Sequence, residues 1–200
     1  MTRGLLGILK LVIFISLIPA NIAVVTGFNN ELAAVGEGAE VLWWGVIAYT
    51  IIHLFIFTPQ GLYRFWQSVF IEICSFAGVI ANAIVLAVPV ITTVLLLIYF
   101  LVAVIFKQTW GQESLIFFTG FTLALHIILS AQELYEEDES KLKGHYLFNI
   151  SLIAITNILI VAGLLDLIFK RFSFMDFLNA ALHTGQQIYT DILSSAGIRF

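Results

Sequence analysis

Four ionisable side chains, His53, Glu72, His126 and Asp166, stand within long apolar runs of this 200-residue chain. A titratable group in hydrocarbon is expensive, so each raises the question of a proton, cation or metal site. His53 and Glu72 flank a short turn containing Pro59, Gly61 and Arg64. Each falls about five residues, roughly 8 Å, inside its own apolar helix. A hydrogen-bonded His53–Glu72 pair near one membrane face is therefore expected, joined by Gln67, Ser68 or Ser75. Such a pair could bind a proton or cation. It could also be interhelical glue worth about 1 kcal/mol or less per hydrogen bond. The second role is favoured, because one carboxylate with one imidazole makes no relay.

His126 falls in a later apolar run. A paired-histidine haem or metal site with His53 is conceivable only if both lie toward the same face, and no supporting motif accompanies them. A packing histidine is the expectation, with no cofactor and no metal. Asp166 stands four residues before Lys170, the spacing of a structural ion pair on one helix. The acidic stretch Glu133–Glu139 lacks the alternating pattern and glycine of an EF-hand loop and reads as a solvated loop. No H-E-x-x-H, G-x-S-x-G, Walker or G-x-G-x-x-G pattern occurs, so no catalytic residue is assigned and the chain is not expected to be an enzyme.

The elements that hold these residues are oily. The chain is 60% hydrophobic and 11% charged, against about 25% charged in soluble domains. The net charge of −4 gives no nucleic-acid signal. The single cysteine, Cys74, excludes an intramolecular disulfide. Phe65–Phe106 holds 42 residues whose only charge is Glu72. At helical rise it reaches roughly 63 Å, about twice the ~30 Å hydrocarbon core. A tight hairpin at Asn82–Pro89 would turn it back on itself.

The fold expected is all-α, a polytopic membrane bundle of six transmembrane helices. They lie near Leu5–Phe28, Trp43–Thr58, Phe65–Ala83, Val88–Phe106, Ser114–Ala131 and Tyr146–Phe169. The basic start and small residues of the first run also fit a signal peptide, but it is read as a span. The alternative is five spans plus an interfacial helix at 62–80, where Arg64, Ser68, Glu72, Ser75 and Gly78 form a polar stripe. Six spans place six Lys and Arg residues inside and two outside, and five spans place five inside and three outside, which favours six. The chain then belongs in the plasma (inner) membrane with both termini cytoplasmic. Small-xxx-small pairs at Ala77 and Ala81, Ala83 and Ala87, and Gly120 and Ala124 mark helix contacts, with 77–87 the favoured interface.

Residues 1–171 form the transmembrane domain and 172–200 a C-terminal amphipathic helix and tail. Phe174, Phe177, Leu178, Ala181, Leu182, Ile188, Tyr189 and Ile192 recur at helical spacing, and Ser173 is placed to cap the start. The opposite face carries Asp176, Asn179, His183, Gln187 and Asp191 but no Lys or Arg, unlike a helix held on anionic lipid by charge. The tail is therefore expected to dock on protein, with a helix resting on headgroups as the alternative. The function that follows is a non-catalytic integral membrane subunit of a larger assembly, in contact with lipids and with other subunits or copies of itself. The alternative is a small transporter or ion or proton channel using the His53–Glu72 region.

Overall fold

Long apolar runs fold as helices because, without water, every backbone group must find its partner within its own segment. The computed structural model describes residues 2–55, 60–73, 86–107, 111–137, 143–195 and 197. Among these the chain forms α1 (Thr2–Ala33), α2 (Gly38–Phe55), α3 (Gln60–Ile73), α4 (Val90–Phe106), α5 (Gln112–Glu137), α6 (Gly144–Ile168) and α7 (Phe174–Ser195), and no strand. Four of these helices, α1, α2, α5 and α6, are long and apolar enough to cross a membrane. At 17 residues α4 is apolar but shorter, about 26 Å at helical rise.

Side-chain pairing fixes the direction of each helix. We call the end holding the start of α1 the near end and the other the far end. α1 and α6 run parallel: Gly7 meets Gly144, Lys10 Nζ donates to His145 Nδ1 at 2.7 Å, and the Asn21 amide donates to Ser151. α2 and α5 also run parallel, from Gly38 beside Ile116 to His53 beside Gln132. Their seam is set by two glycines. A Cβ on Gly45 would strike the Phe117 carbonyl, and one on Gly120 the Leu42 carbonyl. This is small-residue packing, in which backbones approach because side chains are missing. It uses the Gly120–Ala124 pair read from the sequence, and Gly45 as its unforeseen counterpart.

α4 runs antiparallel to α5. His126 Nε2 donates to the Leu86 carbonyl at 3.1 Å, Thr92 bonds Thr122 at 2.9 Å, and Lys107 and Gln112 line one cavity at the far end. α3 lies at the near end, with Tyr63 bonded to Ser130 and Gln67 to Glu133. Its polar stripe of Arg64, Ser68 and Glu72 is exposed. Arg64 is thus at the near end and Lys107, Lys170 and Arg171 are at the far end. Of the two arrangements read from the sequence, five spans put Arg64 and Lys107 at opposite ends and six put them at the same end. The hairpin itself, Asn82–Pro89, lies largely outside the described residues, as do Ala77, Ala81 and Ala83; Ala87 is half-buried.

The tail departs most from expectation. α7 turns part of its apolar face onto its own chain. It folds back antiparallel along α1. Phe28 packs edge-on against Phe172 and Phe177, Gly27 meets Ala181, Ala23 meets Gly185, and the Tyr189 hydroxyl donates to the Ser16 carbonyl. Phe177 and Ala181 are buried on this seam, Phe174, Leu178 and Ile188 are half-buried, and Leu182, Tyr189 and Ile192 stay exposed. The physical reason is that the apolar stripe meets an equally apolar face of its own chain first. Three acceptors cap the reversal: Asp176 N donates to Ser173 Oγ at 3.2 Å, Phe174 N to Asp166 Oδ1 at 3.1 Å, and Ser173 N to Glu31 Oε1 at 2.8 Å. The Ser173 cap is the one read from the sequence. The Asp166–Lys170 pair does not form, because Asp166 is turned to the start of α7.

Candidate functional site

The near half of the bundle is polar and the far half is not. At the far half, Phe28, Leu32, Leu42, Leu96, Leu115, Ile116, Val161 and Leu165 pack into one apolar cluster. At the near half, a second cluster gathers Tyr49, Tyr63, Ala124, Leu125 and Leu129, and the hydrogen-bonding side chains thread through it.

Among these, His126 is 3% exposed. A carbonyl only accepts, so the bond to Leu86 requires a proton on Nε2. Ser130, one turn on, lies 3.5 Å from the same nitrogen and 2.8 Å from the Tyr63 hydroxyl. Tyr63 comes from α3, outside the long apolar helices. Burial pushes its phenol up to about 12, so it keeps its proton and can donate to Ser130. Outside this chain a cavity of about 350 Å³ opens at the near end, lined by Tyr63, Arg64, Gln67, Gln132, Glu133 and Glu136 among others.

His53 does not pair with Glu72. Its Nε2 lies 3.3 Å from the Gln132 amide nitrogen, and its ring lies 5.8 Å from that of Tyr49. Glu72 is exposed on α3 and makes no hydrogen bond among the described residues. The reason is the direction of α3, which turns Tyr63 and Gln67 inward onto α5 and leaves Glu72 on the outer stripe. His53 and His126 both sit in the near half, as the paired-histidine idea required, but each ring nitrogen bond goes to a different group. Among the described residues no three metal-ligating side chains converge.

Three polar atoms of this region are buried with no partner among the described residues: the Tyr49 hydroxyl, His53 Nδ1 and Gln132 Oε1. Such atoms cost free energy unless bonded, so this is where a small polar guest or water would be held. The polar run goes no further. Beyond Thr92 and Thr122 stands Thr119, whose hydroxyl turns back to the Leu115 carbonyl at 2.8 Å, and the apolar cluster follows. Sequence reasoning missed Tyr49, Tyr63, Ser130 and Gln132. Spacing held part of the signal, since Tyr49 and His53, like His126 and Ser130, stand one helical turn apart.

Two other hollows exist. An apolar cleft of about 240 Å³ lies between α1, α2, α5 and α6, with Asn29 hydrogen-bonded to Trp43 at its mouth. A cavity of about 500 Å³ at the far end is lined by Lys107, Lys170 and Arg171.

Comparison of the chain with protein-family models, with curated proteins and with solved structures finds no match.

Proposed function

We propose that this chain is a non-catalytic subunit of a membrane-protein assembly. In this reading α1, α2, α4, α5 and α6 cross the bilayer, α7 crosses beside α1, and α3 lies along the near face. The near end is cytoplasmic in an inner (plasma) membrane: it takes Arg3, Lys10, Arg64 and Lys143 against Lys107, Lys170 and Arg171 at the far end, the excess expected inside. The first and last described helices then begin and end on the same, cytoplasmic side.

One observation carries the proposal. α7 follows α1 from Glu31 to Ser16, about 22 Å of helical rise. On the face opposite that seam Asp176, Asn179, His183, Gln187 and Asp191 are all exposed. An ionisable side chain at mid-bilayer costs about 2.5–3.5 kcal/mol on insertion scales, so such a stripe does not face lipid. Apolar area beside it, with Leu182 64% and Ile192 51% exposed, suits a neighbouring helix that packs on the apolar flanks and hydrogen-bonds the stripe. Other subunits or further copies of the chain are the partners this reading implies, with lipid around the exposed faces of α1 and α4.

A second reading, a small transporter or channel, has the three unpartnered polar atoms at Tyr49, His53 and Gln132 in its favour. The apolar cluster across the far half weighs against it. One experiment separates them. With Cys74 replaced by Ser, cysteines are placed at Asn179, His183 and Gln187 in native membranes and treated either with a water-soluble maleimide or with a thiol-linked photocrosslinker. Protein adducts at all three, without maleimide labelling, support a covered subunit face. Labelling of all three supports a water-lined path. Neither adduct nor labelling would mean the stripe meets lipid, and the subunit reading would fall.

A further inference from the structure

The far-end cavity is electrostatically unbalanced. Lys107 enters it from the end of α4, and Lys170 and Arg171 from the end of α6. Its other lining residues are Val35, Ala103, Gln112, Ile168 and Phe169, with no carboxylate among them. Two acids near the lining residues in the chain are committed elsewhere, and Glu37, two residues past Val35, does not line the cavity. Asp166 accepts from the Phe174 amide and Glu31 from the Ser173 amide. Among the described residues none of the three cations has an ion pair or hydrogen bond. Glu113 opens α5 just beyond Gln112 but does not line the cavity.

Three like charges around one hollow of about 500 Å³ repel one another. Cations at helix ends commonly reach to headgroups one at a time. Here two separate helices bring theirs to the same concave space. The start of α5 adds to this: Gln112, its first residue, lines the cavity, so the positive end of that helix's dipole lies on the same side. We infer that the cavity is a binding site for a phosphate group, Arg171 supplying a planar donor fork and the two lysines point charges.

Two sources carry this chemistry, the phosphodiester of an anionic lipid and a free phosphate ester. The surroundings favour the lipid. Ile105 at the end of α4 is 70% exposed and Leu167 at the end of α6 is 60% exposed. Both lie within a turn or so of the cations, on helices whose outer faces are apolar, where acyl chains would run. The inference does not depend on what covers α7.

The test uses the full chain in detergent and in nanodiscs. Native mass spectrometry follows retention of phosphatidylglycerol against phosphatidylcholine, and calorimetry follows inorganic phosphate. Wild type is expected to retain phosphatidylglycerol preferentially. Lys107→Gln/Lys170→Gln/Arg171→Gln is expected to lose that preference, with binding weaker by about tenfold or more. Lys107→Arg/Lys170→Arg keeps the charge and should keep the lipid, which separates loss of the site from loss of the fold. Phosphate binding that vanishes in the triple variant, without lipid preference, would assign the free ester instead and still support the site. If the well-folded triple variant retains phosphatidylglycerol and phosphate as wild type does, or wild type retains neither, the inference is overturned.

Discussion

The hydroxyl of Tyr189, near the end of α7, donates to the backbone carbonyl of Ser16 in α1, three residues before Pro19. Pro19 has no N–H to give to the Ile15 carbonyl, so the turn of α1 that holds Ser16 is one rung short and loosened. The bond ties the last turns of α7 to the turn of α1 that precedes Pro19. Tyr189→Phe should leave the start of α7, capped by Ser173, in place while its end frays. Hydrogen exchange at 186–195 should rise with little change at 174–182, and thermal stability should fall by about 1 kcal/mol or less. Equal loosening along the whole helix would show that the bond is not what holds the end.

The α2–α5 seam makes the sharpest packing prediction. Gly45 and Gly120 each face a carbonyl of the other helix with no room for a Cβ. Gly120→Ala, and more so Gly120→Leu, should separate the helices, with a loss of about 1–3 kcal/mol or outright failure to accumulate. Gly163, in α6, has open space where its Cβ would be. Gly163→Ala should therefore be neutral or stabilise by about 0.5–1 kcal/mol. Both are read by thermal unfolding in one detergent. A tolerated Gly120→Leu would mean that the two helices do not touch there.

How far the sequence went is clear from these pairs. The oily helices and the Ser173 cap were legible because composition and capping are local; the turn read at Pro59, Gly61 and Arg64 was not, since Gly61 and Arg64 lie within α3 and Pro59 lies outside the described residues. The partner of His53 was not. Depth along a helix can be counted, but the face a residue presents depends on how its helix is rotated and where it points, and those follow from packing. Glu72 was at a suitable depth and on the wrong face of α3. The tail's apolar stripe was visible too. That it would be satisfied by α1 rather than by a partner needed the reversal at Phe169–Ser173, which Asp166 and Glu31 complete from far away in sequence.

Sidedness follows from α3 and α4. With Cys74→Ser as background, single cysteines at Ser68 and Lys170 should label from opposite sides of sealed vesicles, and Ser68 and Lys143 from the same side. Labelling of Ser68 and Lys170 from one side would restore a hairpin crossing between α3 and α4.

The near-end polar group should respond to Gln132 and not to Glu72. Gln132→Leu leaves the half-buried His53 ring with no hydrogen bond at either nitrogen among the described residues. The loss should be about 0.6–1.7 kcal/mol, the range measured for hydrogen bonds between membrane helices. Glu72→Gln, on an exposed face, should be silent to within about 0.5 kcal/mol. A Glu72→Gln variant that unfolds early while Gln132→Leu does not would bring back the His53–Glu72 pair.

Asn157 tests the polar ledger of the bundle from the other direction. It is fully buried in α6, and neither its amide nitrogen nor its amide oxygen has a partner among the described residues. Removing a buried unsatisfied amide and filling the same volume with carbon relieves a desolvation penalty of about 1–3 kcal/mol. Asn157→Leu keeps the length and branching of the side chain, so it should raise the unfolding temperature. Asn157→Ala removes the same polar atoms but leaves a hole, and the cavity cost should offset the gain. The ordering expected is therefore Leu above wild type, with Ala at or below it. If Asn157→Leu instead lowers stability while Asn157→Asp or Asn157→Gln is tolerated, the amide is bonded in the membrane to something outside this chain, and α6 joins α7 as a face that an assembly partner reads.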